Sequence, residues 1–288
     1  MRTTTTPSTV RSTALTGRGR RRGRVVVAVG ALALALAGCA GQPADSAGGP
    51  PESTPEATQE TAGVTGELRI MAAASLAAAF DELVESFVAE NPDVDAPVVT
   101  YDGSSTLVTQ LAEGAEAEVF ASADQANMTK AVDAGLMRGT PSTFATNVLQ
   151  IAVAPGNPAG IESLADLADP ALQVVLCAPE VPCGAASAKA LTAAGVSVTP
   201  ASEEQNVTAV LKKVTLGEAD AGLVYATDVQ ISAGGVDGVT FAESTAAVNS
   251  YLIGALDGTS SPAAQAFVDF VLSPTGQKVL ATYGFGPA

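Results

Sequence analysis

The chain has 288 residues but no histidine and no tryptophan, and only seven basic side chains follow residue 38. Without histidine there is no Ser-His-Asp or Cys-His catalysis, no imidazole-held metal and no imidazole pH switch. No serine is followed by lysine three positions on, and there is no G-x-S-x-G or phosphate-loop lysine motif. The commoner serine and nucleotide chemistries are therefore missing, and no catalytic residue is expected. The net charge of −16 argues against a nucleic-acid partner, which demands clustered lysine and arginine. What the chain does have is apolar material. Hydrophobic residues are 47% and charged residues 15%, enough for one large or two ordinary domains with a real core.

The few basic groups are badly spread. Arg2, Arg11, Arg18, Arg20, Arg21, Arg22 and Arg24 precede the apolar run Val25–Ala37, and no acid occurs before residue 39. The rest carries seven basic against thirty acidic groups, a charge of −23. A basic stretch followed by a short apolar run reads as a secretory signal, residues 1–38. No later segment reaches the roughly 18 apolar residues of a membrane span. The run ends in Leu36-Ala37-Gly38-Cys39, which resembles a bacterial lipobox, so Cys39 is expected to carry the lipid that holds an exported protein to the outer face of the cytoplasmic membrane. The Arg-Arg pair leaves twin-arginine export open beside general secretion. Residues 39–65, with Pro43, Pro50, Pro51 and Pro55 among Gly, Ser, Thr and Glu, read as a disordered tether.

From Glu67 onward strands and helices alternate. Leu68–Ala72 reads as a strand, and Leu76, Phe80, Leu83, Val84, Phe87 and Val88 then recur at helical spacing behind Ser75. Asp81, Glu82, Glu85 and Glu90 occupy the other face, a solvated surface rather than acid-base chemistry. Strands are expected at 97–101, 119–121, 147–154, 174–178 and 221–225. Helices are expected from Ser104, from Asp124 to near Gly135, and over 185–194, 206–216, 262–272 and 275–283. The pattern is that of an α/β protein with mostly parallel sheets, whose ligands sit at the carboxyl ends of strands.

Those junctions are small, hydroxylic and free of cations: Ala72-Ala73-Ala74-Ser75-Leu76, Asp102-Gly103-Ser104-Ser105-Thr106-Leu107 and Pro182-Cys183-Gly184-Ala185-Ala186-Ser187. Amino acids and dicarboxylates are usually gripped by an arginine fork, which is absent here. Helix N-termini can instead hold a dehydrated anion with neutral donors. Each serine alone reads equally well as an ordinary helix cap, and Tyr225 as a core residue.

Of the cysteines, Cys177 and Cys183 remain after lipidation. In an exported protein without histidine, a C-x₅-C pair reads as a disulfide rather than a metal site, with two free buried thiols as the alternative.

Four ordered segments add a resemblance: Ala72-Ala73-Ala74-Ser75-Leu76, Gly103-Ser104-Ser105-Thr106-Leu107, Phe120-Ala121-Ser122-Ala123-Asp124-Gln125 and Gly222-Leu223-Val224-Tyr225, with Tyr283-Gly284-Phe285 at the end. Over residues 67–286 the chain resembles the periplasmic molybdate-binding proteins of molybdate ABC transporters. The resemblance implies a two-lobed periplasmic binding protein fold (type II-like), with residues 66–148 plus 243–288 as one lobe and 149–242 as the other. It implies one bound tetrahedral oxyanion, molybdate or tungstate, no cofactor, an ABC transporter permease as partner, and a monomer. Matched residue by residue, it implies hydroxyl donors from Ser75, Ser104 and Tyr225 and backbone N–H donors from Cys183 and Val207. Molybdenum would enter only as the oxyanion. The chain departs from the family at Cys183, where alanine is frequent, and at Asn206, where an acid is expected. Sulfate, phosphate or an organic anion is the alternative ligand.

Overall fold

The computed structural model describes residues 63–288. The arginine-rich leader, Cys39 and all but the end of the tether lie outside the described residues. Among the described residues, no helix is long and apolar enough to cross a membrane.

The chain opens with β1 (Arg69–Ala73), whose last four residues are buried, and a 3-10 turn (Ala74–Leu76) leads into α1 (Ala77–Glu90). Phe80, Leu83 and Phe87 of α1 face the core, and its acids are exposed. There follow β2 (Val98–Asp102), α2 (Ser104–Ala112), β3 (Val119–Ser122), α3 (Gln125–Asp133) and β4 (Ser142–Asn147). After Val148 the chain enters a second unit: β5 (Leu149–Val153), β6 (Val174–Cys177), α4 (Pro182–Ala194), β7 (Ser202–Glu204), α5 (Val207–Thr215), β8 (Ala221–Tyr225), α6 (Ala226–Ile231) and β9 (Asp237–Val239). It returns through β10 (Asn249–Ala255) and ends in α7 (Pro262–Leu272) and α8 (Pro274–Thr282).

Two five-stranded sheets result, ordered β2-β1-β3-β10-β4 and β7-β6-β8-β5-β9. Each has two parallel pairings followed by two antiparallel ones, so each is mixed, with one strand (β10 or β5) reversed. The protein is a two-lobed α/β fold. Both reversed strands abut a crossing between the sheets, so in each sheet four strands run one way and one runs against them. The expected strand 147–154 is the point of crossing: β4 ends at Asn147 and β5 starts at Leu149, each in its own sheet. On the way back, Ala247 still packs in the second core, five residues past the boundary at residue 242 drawn from the sequence. The helix expected from Ala185 begins at Pro182, a residue suited to the first helical position because its missing N–H is not needed there.

The scarce aromatic residues are concentrated rather than scattered. Phe80, Phe87, Phe144, Phe267, Phe270, Tyr251 and Phe285 share the first core. Tyr251 meets Phe144 and Phe285 edge-on at centroid distances of 6.2 and 5.4 Å, and Tyr225 of the other sheet at 6.0 Å. These T-shaped contacts hold Tyr225 from across the cleft.

Candidate functional site

One small cavity of about 10 Å³ is lined by Ser75 and Ser104 from the first lobe and by Cys183, Val207 and Tyr225 from the second. Residues spread over 150 positions meet because each lies at the carboxyl end of a strand or at the start of the helix that follows it. Ser75 follows β1, Ser104 is the first residue of α2, Cys183 the second of α4, Val207 the first of α5, and Tyr225 ends β8. Backbone N–H groups in the first turn of a helix have no intrahelical acceptor, so Cys183 and Val207 present free donors.

Neither serine caps its own helix; the residues at the cap positions are Ala73 and Gly103. Ser75 Oγ lies 2.9 Å from Tyr251 Oη, so if Tyr251 donates, the serine hydrogen is left for the cavity. Ser104 Oγ accepts from Ala123 N–H at 3.0 Å, which likewise leaves its own hydrogen free. Tyr225 Oη is buried and has no hydrogen-bond partner among the described residues. A buried hydroxyl without a partner costs about 1–3 kcal/mol, a cost that a ligand oxygen would remove. Burial pushes the Tyr225 phenol well above its ordinary pKa, and Tyr251, Asp124 and Asp228 add to that shift, so the group stays a donor at physiological pH.

No lysine or arginine lines the cavity; its one charged side chain is Asp102. Asp102 Oδ1 already accepts from Gly103 N–H at 2.7 Å and from Asn206 Nδ2 at 2.8 Å. The departure at residue 206 has its reason here. Asn206 Oδ1 caps α5 by accepting from Ala209 N–H at 2.9 Å, while its amide donates to Asp102, which an acid could not do. Under the cavity wall, Asp228 Oδ2 accepts from Tyr225 N–H at 2.9 Å and fixes the turn from β8 into α6. Cys177 and Cys183 are joined as a disulfide, with Cα atoms 5.7 Å apart, tying the end of β6 to the first turn of α4. Among the described residues there is no cluster of three or more His, Cys, Asp or Glu able to hold a metal ion.

Five of the lining residues are those the sequence points to; Asp102 on the wall, and Tyr251 and Asp228 behind it, are additions of the structure. Tyr251 was legible only as one of four tyrosines in the chain. Asp102 stood in a quoted junction, but its partner lies 104 positions away.

Two α/β lobes with small, neutral donor groups gathered at one cavity between them have the architecture of a solute-binding protein. The chain belongs to the family of bacterial extracellular solute-binding proteins, whose model matches residues 68–286. The molybdate-binding protein ModA of Mycobacterium tuberculosis is 48% identical over 217 residues, covering 75% of this chain and 83% of that protein. Among solved structures, the substrate-binding domain of a putative molybdenum ABC transporter from Clostridium difficile superposes with a TM-score of 0.59 at 26% identity, over 77% of this chain and 99% of that one. The Azotobacter vinelandii periplasmic molybdate-binding protein gives 0.67 over the same shares, at 20% identity, and bears on the fold alone.

Proposed function

We propose that the protein captures molybdate, and tungstate with it, outside the cytoplasmic membrane and delivers it to an ABC permease. The observation that carries this reading is Tyr225 Oη, buried and without a partner at a cavity that also gathers serine hydroxyls and helix N-termini and no cation. The names of its relatives support the same ligand. In this reading Ser75 and Ser104 donate from one lobe, and Cys183 N–H, Val207 N–H and Tyr225 Oη from the other. The lobes, divided at Val148 and Val248, close on the anion. The anion is bound and released unchanged, so the protein is not an enzyme and needs no cofactor. It works as a monomer held to the membrane through lipid on Cys39.

Donors suit a fully deprotonated dianion, whereas the hydroxyl of protonated phosphate needs an acceptor; Asp102 is the one carboxylate at the cavity, and its Oδ1 is held by Gly103 N–H and Asn206 Nδ2. Isothermal titration with molybdate, tungstate, sulfate and phosphate tests the reading; tight binding of molybdate and tungstate is expected. Tyr225→Phe removes one hydrogen bond to a charged group, so molybdate affinity should fall roughly tenfold to a hundredfold. Because Oη has no protein partner, the unliganded melting temperature should not fall. A Tyr225→Phe protein that binds normally but melts earlier would make the hydroxyl structural and the site wrong.

A further inference from the structure

Donors alone do not separate molybdate from sulfate, which has the same charge and shape and differs in size. The spacing of the donors across the cleft has to do so. Two contacts fix that spacing where α2 faces α5. Asn206 Nδ2 donates to Asp102 Oδ1 at 2.8 Å, and Gly103 lies so close to the Gln205 main chain that a Cβ on it would overlap the Gln205 carbonyl oxygen. Val181 Cγ1 closes the same gap at 3.5 Å from that Cβ position. The next residues along the chain after Gly103 and Asn206 are Ser104 and Val207, a donor from each lobe. Whatever sets the approach of residues 102–103 to 205–206 thereby sets the distance between those two donors.

We propose that Asp102 and Asn206, with Gly103 seated on the Gln205 carbonyl, form a gauge that fixes the oxyanion size the cleft accepts. The gauge rests on the oxyanion reading above. Gly103 has φ −59° and ψ 136°, a conformation open to any residue, so its lack of a side chain answers the close approach and not the backbone. Asn206 supplies both functions needed there: an acceptor for its own helix and a donor for the other lobe. A carboxylate at 206 would keep the first and turn the second into repulsion between like charges.

The test compares molybdate and sulfate titrations of the wild type with Asn206→Asp, Gly103→Ala and the exchange Asp102→Asn/Asn206→Asp. Asn206→Asp and Gly103→Ala should each weaken molybdate binding by about tenfold or more, because closure must displace a backbone carbonyl or bring two carboxylates together. The exchange restores one donor facing one acceptor and should recover affinity to within about threefold of wild type. Both anions are dianions, so a purely electrostatic effect of the new charge would weaken them equally. A cleft held open penalises the smaller anion more, so the molybdate-to-sulfate ratio should rise by roughly threefold or more in both single variants. A ratio unchanged in both would overturn the gauge. A wild type that took sulfate and refused molybdate would overturn the molybdate reading instead, and Gly103→Ala read on sulfate would still decide the gauge. Binding of neither anion would overturn both.

Discussion

Replacing Gly184 by alanine should abolish tight oxyanion binding while leaving a folded protein. Gly184 is the third residue of α4, with Cys183, whose N–H is proposed to donate, beside it. A Cβ there would overlap the Ala178 carbonyl oxygen and approach Ala178 C at 2.6 Å and Cys177 O at 2.7 Å. All of these are backbone atoms, and the Cys177–Cys183 disulfide holds the two segments together, so neither can retreat freely. The helix start must shift instead. Overpacking of this kind costs about 1–3 kcal/mol of stability. The effect on binding should be larger, because hydrogen bonds fail steeply with distance and angle, and moving α4 misplaces its free N–H groups together. Molybdate affinity should fall by about a hundredfold or more, the worth of one strong or two weaker hydrogen bonds to a charged group. Calorimetry and a melting curve on the same sample check both effects. Wild-type affinity in Gly184→Ala would remove the α4 N-terminus from the site.

The way the sequence maps onto this site shows which kinds of information are local. Ser75, Ser104 and Cys183 stand in strand-to-helix junctions, a boundary written in neighbouring residues, whereas the five together, with Val207 and Tyr225, were named by the family resemblance. The buried strand Ala221–Tyr225 and the helix Pro262–Leu272 were legible to the residue, being closed apolar runs with clear ends. Four strands were not. β4, Ser142–Asn147, is mostly polar and takes its extension from pairing with β10. β7, Ser-Glu-Glu, and β9, Asp-Gly-Val, lie at sheet edges and owe their extension to pairing with β6 and β5, not to apolar content. β10 has a strong apolar run, but no turn signal announces the return from one sheet to the other. The Asp102–Asn206 bond was invisible for a related reason. Each residue has a sufficient local role, as a turn former and as a helix cap, and the contact between them exists only once the lobes face each other.

Asp228 leads to the last expectation, and its sign follows from burial. The carboxyl is about 1% exposed and accepts one hydrogen bond, from Tyr225 N–H. Burial pushes its pKa from an ordinary value near 3.8 up to about 7, against the smaller opposing effect of that hydrogen bond. Tyr225 and Tyr251, which face it, are driven further above their ordinary values by burial and do not titrate in the same range. In the unfolded chain Asp228 ionises near pH 4, whereas in the folded protein it keeps its proton to about pH 7. Between those limits the folded state binds more protons, so stability falls as pH rises, and the loss is complete above about 7. Asp228→Asn keeps an acceptor for Tyr225 N–H and removes the charge. At pH 8 it should stabilise the protein by about 2–4 kcal/mol, at ~1.36 kcal/mol per pKa unit. That corresponds to a melting temperature raised by roughly 5–15 °C for a domain of this size. At pH 4 the two proteins should melt together, because both then carry a neutral group. Binding follows the same logic. A dianion entering next to an ionised Asp228 meets a buried like charge, so wild-type molybdate affinity should weaken from pH 6 to pH 8 while that of Asp228→Asn stays nearly flat. Melting curves that differed by the same amount at pH 4 and pH 8 would show that Asp228 acts through packing and carries no buried charge.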